Sequence, residues 1–209
     1  MMRLVVFAKA PQPGSVKTRL MPALGAEGAA ALARRLLSHT LAEALAAGVG
    51  AVELCMSPSP QDIAWQGTDL PDAVHCSAQG EGDLGERMAR AVLRITTQQQ
   101  VVLLMGCDCP GLTAARIAEA ARQLQAHDAV LMPVADGGYV LIGLKSPCPE
   151  LFTAMPWSTS AVAAETLRRM DALGLRTWQG TLLHDIDEPA DLAHLPDGFL
   201  PPGFSKNSR

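Results

Sequence analysis

Short apolar runs rich in β-branched residues alternate along the chain with longer Ala/Leu-rich runs. Residues 4–7, Leu-Val-Val-Phe, have the length and composition of a buried strand. Over residues 26–47, Leu32, Leu36, Leu37, Leu41 and Leu45 recur at helical spacing, and Gly48 and Gly50 end the pattern. Strands are predicted over 51–56, 74–76, 101–105, 129–134, 139–144, 176–178 and 182–186. Helices are predicted over 84–97, 113–126 with Thr113 as cap, and 159–173. Pro189 suits the first position of one more short helix. The stretch 57–72, rich in Pro, Ser, Gln and Asp, reads as loop with room for a short helix.

Strands alternating with helices predict an α/β fold, with an open, mostly parallel sheet covered on both faces. No repeat, low-complexity tract or linker divides the chain. Residues 1–195 therefore read as one domain, and 196–209, rich in Pro, Gly and Ser, as a tail expected to fray. In open sheets of this kind ligands bind beyond the carboxyl ends of the strands. The polar clusters considered below all follow apolar strand runs.

Composition narrows the function classes. The chain has 209 residues, 48% hydrophobic and 18% charged, which is a globular balance. A net charge of −4 argues against general nucleic-acid binding but leaves room for a small anionic ligand held by two or three local cations. No apolar run reaches the length of a membrane span, and Lys9 cuts the N-terminal run too short for a signal peptide. Five cysteines, at 55, 76, 107, 109 and 148, fit no disulfide scaffold and favour reduced thiols in a cytoplasm. Cys107 and Cys109 lack the further ligands of a zinc site.

Five clusters carry candidate chemistry. The first, residues 9–19, follows the first strand: Gly14 permits close backbone approach, and Lys17 and Arg19 bring positive charge for phosphate oxygens. The alternative is a solvated basic loop. A P-loop is excluded, because Val16 precedes Lys17 where Gly is required. The second, Gly106-Cys107-Asp108-Cys109-Pro110-Gly111, puts Asp108 at a strand end, where a carboxylate can anchor Mg²⁺ or Mn²⁺ or simply cap a turn.

The third, Asp136-Gly137-Gly138-Tyr139, reads as a hairpin turn or as a close approach to a ligand, with Asp136 hydrogen-bonding a hydroxyl. In the fourth, His184-Asp185-Ile186-Asp187-Glu188-Pro189, Asp185 and Asp187 share a face if extended. Either could be a second metal carboxylate, or Asp187 could cap the helix at Pro189. The fifth is the glycine-rich run 79–88, where Arg87 adds charge near a helix start or makes a surface ion pair. Trp157 with Ser158 and Thr159 could wall an acceptor site, or Trp157 could pack ahead of a helix cap.

Together and in order, these segments resemble the GT-A nucleotide-diphospho-sugar transferase superfamily, and within it the bacterial DUF2064 family, also described as glycosyltransferase-like proteins of arsenosugar biosynthesis. The matching text is Phe7-Ala8-Lys9-Ala10-Pro11 with Gly14, Lys17-Thr18-Arg19-Leu20, Leu84-Gly85-Glu86-Arg87-Met88, Gly106-Cys107-Asp108-Cys109-Pro110, Asp136-Gly137-Gly138-Tyr139 and Asp185-Ile186-Asp187-Glu188-Pro189. The resemblance implies a three-layer αβα sandwich with nucleotide over its N-terminal half. Ala8, Lys9, Gly14, Lys17, Arg19 and Arg87 would line the nucleotide and phosphates, with Lys17 also serving catalysis. Asp108 would bind the metal, Mg²⁺ or Mn²⁺, with Asp187 or Asp185 as second carboxylate. Asp136, Gly137, Gly138, Trp157 and Asp185 would face the transferred group and acceptor.

The expected function is metal-dependent transfer from a nucleotide-sugar to a small acceptor, with Asp136 as base. The single Asp of Gly106-Cys107-Asp108-Cys109, where many glycosyltransferases carry D-x-D, keeps nucleotidyl transfer from an NTP to a phosphorylated substrate as the alternative. A non-catalytic nucleotide-sugar binding protein is the alternative of another class. Neither nucleic acid nor a membrane is an expected partner.

Overall fold

The computed structural model describes residues 1–200 and 204. Seven strands form one sheet: β1 (Met2–Lys9), β2 (Ala51–Ser57), β3 (Val74–Ala78), β4 (Val101–Gly106), β5 (Ala129–Pro133), β6 (Tyr139–Leu144) and β7 (Thr177–Gln179). Their order is β3-β2-β1-β4-β6-β5-β7. β6 runs antiparallel to β4 and β5, and the other pairings are parallel. The fold is thus α/β with a mixed, mostly parallel sheet between helical layers. The expected three-layer arrangement stands, with the β5–β6 hairpin as its reversed element.

Among the described residues four α-helices cover the sheet: α1 (Met21–Ala46), α2 (Leu84–Thr96), α3 (Ala114–Ala126) and α4 (Val162–Ala172). Period-2 alternation sends Leu4, Val6, Leu103 and Met105 to the face covered by α1 and α3. Val5, Val102 and Leu104 go to the face covered by α2 and α4. A further cluster joins Leu20, Leu24, Leu32 and Leu36 to Ile186, Leu192 and Leu195. This packing draws the C-terminal segment across to the loop after β1, and so decides what meets in the cleft.

Local chemistry sets the helix boundaries. Gly25 (φ 65°, ψ 172°) breaks α1 near its start, so its regular part begins close to the expected position 26. Asp83 caps α2 in a reciprocal box with Glu86. Thr113 stands at the N-cap of α3 but makes no side-chain cap. Glu43 of α1 accepts from the Ala114 N–H instead, at 2.5 Å. α4 starts at Val162 and not at 159, because residues 158–161 are held in turns and Gly137 O accepts from Ala163 N–H.

Residues 182–186 do not form the expected last strand. Only the Val134–Leu183 bridge pairs there. Beyond it the chain leaves the sheet edge and Ile186 N–H bonds Asp108 O. The turn after Pro189 is a 3-10 helix, Pro189–His194, and its cap is Glu188 with Asp191, which frees Asp187 from capping. Of the expected fraying tail, residues 201–203 and 205–209 lie outside the described residues, while Arg35 bonds the carbonyls of Gly198 and Leu200. Among the described residues no helix is long and apolar enough to cross a membrane.

Candidate functional site

The loops at the carboxyl ends of β1 and β4 meet residues 185–188 and the β5–β6 turn around a cleft of about 940 Å³. Its walls include Ala8, Lys9, Lys17, Arg19, Arg87, Asp108, Asp136, Asp185 and Asp187. Most residues singled out in the sequence therefore converge. Gly14 (φ 81°) is exposed and outside the lining, where it turns the loop that carries Lys17. Gly137 is also outside it, but a Cβ there would collide with Ser160 O, so glycine is required for the turn to meet the start of α4.

Lys17 anchors the cluster. Its backbone is left-handed (φ 50°), a conformation that costs about 1–3 kcal/mol for a residue with a side chain and persists only where surroundings over-determine it. Its ammonium is buried, 2.9 Å from Asp108 Oδ1, 3.6 Å from Asp187 Oδ1, and donates to Ile186 O at 2.5 Å. Burial alone would lower its pKa, but Asp108 and Asp187 overcome this and hold it above its ordinary value. Lys17 is charged, and its charge is already shared with two acids.

Arg19, more than half exposed, bonds Asp187 Oδ2 at 2.7 Å and lies 3.9 Å from Glu188. Asp187 thus has an arginine on one oxygen and a lysine near the other. Arg87 Nε donates to Gly82 O at 2.8 Å, which leaves its guanidinium at the cleft wall without an ion pair among the described residues.

The acids divide into two groups. Asp108 and Asp187 flank Lys17. On the other side Asp136 accepts from Gly138 N–H at 2.7 Å, so the hairpin-turn reading and the cleft-lining reading both hold for this residue. Asp185 is half-buried, and its carboxyl is pushed up to about 6 by burial and then by the nearby charge of Asp136.

The cysteines have no such activation. Burial raises Cys107, which lines the cleft, and pushes Cys109 up to about 11, so both remain thiols at neutral pH. Among the described residues no group of three or more His, Cys, Asp or Glu is arranged to hold a metal.

Gln79 opens the glycine-rich run 79–88, but sequence reasoning gave its side chain no role, and it lines the cleft. It is buried, and its Nε2 donates to Ala8 O at 3.2 Å and Cys55 O at 3.0 Å, fixing the amide and tying β1 to β2. Its signal was position: it directly follows a strand, as Cys107 does. Ser158 and Thr159, grouped with Trp157 in the sequence, line the cleft, whereas Ser160 was missed because it falls within the helix expected from 159.

This sheet order, with phosphate-compatible cations and acids at the strand ends, defines a GT-A-like nucleotide-diphospho-sugar transferase fold. The chain belongs to the bacterial family described as "Uncharacterized protein conserved in bacteria (DUF2064)", whose model matches residues 40–159. It is similar to a candidate nucleotide-diphospho-sugar transferase from Desulfovibrio desulfuricans G20, with 31% identity, a TM-score of 0.84, and 95% of this chain and 89% of that one covered.

Two more distant structures share the fold. One is Rv0371c of Mycobacterium tuberculosis H37Rv in complex with manganese (16% identity, TM-score 0.57, 92% of this chain and 96% of that one). The other is 4-diphosphocytidyl-2C-methyl-D-erythritol synthase of Anaerococcus prevotii DSM 20548 (11% identity, TM-score 0.57, 93% and 95%). A search of curated proteins finds no match.

Proposed function

We propose that the chain is a transferase acting on a nucleotide-activated donor, and that it moves a glycosyl group from a nucleotide-sugar to a small acceptor. The observation that carries this reading is the grouping of Lys17, Arg19, Asp108 and Asp187 at one rim of the sheet, next to an otherwise open cleft. Cations at strand ends suit a diphosphate leaving group, whose charge they stabilise as it departs. In this reading Ala8, Lys9 and Gln79 border the nucleoside. Lys17, Arg19 and Arg87 meet the phosphates, with Arg19 exchanging Asp187 for phosphate oxygen.

Asp108 and Asp187 each keep carboxylate surface toward solvent, with side chains 50% and 40% exposed. Two hard carboxylates completed by substrate phosphates and water are the usual way Mg²⁺ is held, so the donor chemistry fits Mg²⁺ or Mn²⁺ once nucleotide is present. The manganese complex of Rv0371c supports this choice of ion. The ion, when bound, supplies further neutralisation of the leaving diphosphate.

Acceptor binding falls to Asp136, Gly138, Trp157 and Asp185. Asp136 is the base that accepts the hydroxyl proton, and Asp185, whose carboxyl is pushed up to about 6, lies beside it. A role in arsenosugar assembly is a special case of this reading, with arsenical acceptors in the screen.

Nucleotidyl transfer is the second reading. The lone Asp108 beyond the end of β4 and the fold shared with the 4-diphosphocytidyl-2C-methyl-D-erythritol synthase favour it. The deciding experiment is a thermal-shift screen of nucleotide-sugars and NTPs, each with and without Mg²⁺ or Mn²⁺, followed by product analysis. Nucleoside diphosphate released from a nucleotide-sugar supports glycosyl transfer, and pyrophosphate from an NTP supports nucleotidyl transfer. Metal-dependent binding without turnover on any acceptor supports a binding protein. No stabilisation by any nucleotide sinks all three.

A further inference from the structure

Beside the cleft lies a smaller cavity of about 210 Å³, bounded by Phe7, Leu84, Met88, Leu104, Trp157 and Val162. Asp136, Ser158 and Thr159 line both spaces and form the mouth between them.

The cavity exists because of a glycine. Val102 and Leu104 point to the face covered by α2 and α4, so position 106 of the same strand points there too. The parallel register sets Phe7 of β1 beside Gly106, which leaves the Phe7 ring without a side-chain neighbour on that side. A Cβ built on Gly106 meets nothing within 4 Å, and its backbone is not left-handed. Neither packing nor conformation requires glycine there, and its effect is to hold space open at the end of β4. Leu84, the first residue of α2, borders both cavity and cleft and is 45% exposed.

We propose that this pocket receives a compact apolar group of the acceptor, one aromatic ring or a branched aliphatic chain, while the acceptor's hydroxyl lies at the mouth beside Asp136. The inference rests on the transferase reading and names its acceptor class. The pocket is smaller than the roughly 300–1,000 Å³ that bury a whole drug-sized ligand, so it suits one substituent and not a nucleoside diphosphate. Its walls are mainly hydrocarbon and ring faces, with the unpartnered buried Tyr139 hydroxyl and Trp157 Nε1 behind them. A polyol pushed among them would lose water from several hydroxyls with at most these two groups to meet them. The acceptor is therefore not a bare sugar or glycerol-like polyol.

Benzyl alcohol and glycerol serve as probes, followed on the full-length chain by ¹H–¹⁵N NMR. In parallel, ADP, GDP, CDP and UDP are titrated with Mg²⁺. Benzyl alcohol is expected to give saturable shifts at Leu84, Gly106, Tyr139, Trp157 and Val162, and glycerol none at equal concentration. Gly106→Val, which fills the pocket from the sheet, is expected to weaken benzyl alcohol tenfold or more and leave nucleoside diphosphate affinity unchanged. Val162→Phe, which fills it from α4, should do the same, so a folding failure of one variant leaves the other to decide. Shifts that do not saturate, or that persist undiminished in the folded variants, overturn the proposal. Saturable benzyl alcohol binding that both variants abolish, in a chain binding no nucleoside diphosphate, instead overturns the transferase reading and leaves the pocket's ligand class standing.

Discussion

The Lys17 ammonium lies 2.9 Å from Asp108 Oδ1 and 3.6 Å from Asp187 Oδ1, so one buried charge ties the end of β4 to the segment that precedes Pro189. Lys17→Met keeps much of the side-chain length and removes the charge. Asp108 and Asp187 then lose their shared counter-ion. The buried charge leaves with the substitution, both acids are partly solvated and Asp187 keeps Arg19, so we expect a loss of about 1 kcal/mol. Urea denaturation at pH 7 measures it, and an unchanged midpoint would show that this contact contributes nothing to the fold.

Asp185 predicts a pH effect. Its folded-state carboxyl is pushed up to about 6, above its unfolded value near 3.8. Between these two values the folded chain binds more protons than the unfolded one, so this group lowers stability as pH rises through 6. Asp185→Asn should therefore raise the melting temperature at pH 7 to 8. The gain should shrink between pH 6 and 4 and vanish below. A gain independent of pH would mean that charge on Asp185 is not its source.

Glu53 of β2 is 3% exposed and accepts from Arg94 of α2 and from Ser77 Oγ. Arg94→Ala leaves that carboxylate buried without its cation. The expected loss is about 3 kcal/mol, the low end for a broken buried pair because Arg94 itself is partly exposed. Arg94→Leu combined with Glu53→Leu should recover most of it. Failure of the double variant to recover would assign the loss to packing of the arginine stem.

Glu43 caps α3 from another helix, accepting from Ala114 N–H at 2.5 Å. Glu43→Ala should cost about 1 kcal/mol, the typical worth of an N-cap side chain. Thr113→Ala, which removes no side-chain cap, should cost less. The reverse order in thermal melts would restore Thr113 as the cap.

The sequence by itself determined the alternation of strands and helices, the faces that each buries, and the placement of Lys17, Asp108 and Asp136 beyond strand ends. Those features follow from short-range periodicity and from the rule that polar loops close apolar strands, and both are written in neighbouring residues. Tertiary structure decided the rest. Residues 182–186 are apolar enough for a strand, but little of the sheet edge remains for them to pair with, so they cross to β4 and bring Asp187 to Lys17 and Arg19. The cap of α3 comes from Glu43 because α1 packs beside it, a contact that no local motif encodes. The pocket beside Phe7 depends on a glycine whose register partner is about a hundred positions away. Long-range pairings of this kind depend on how the layers pack, and no window of sequence contains both partners.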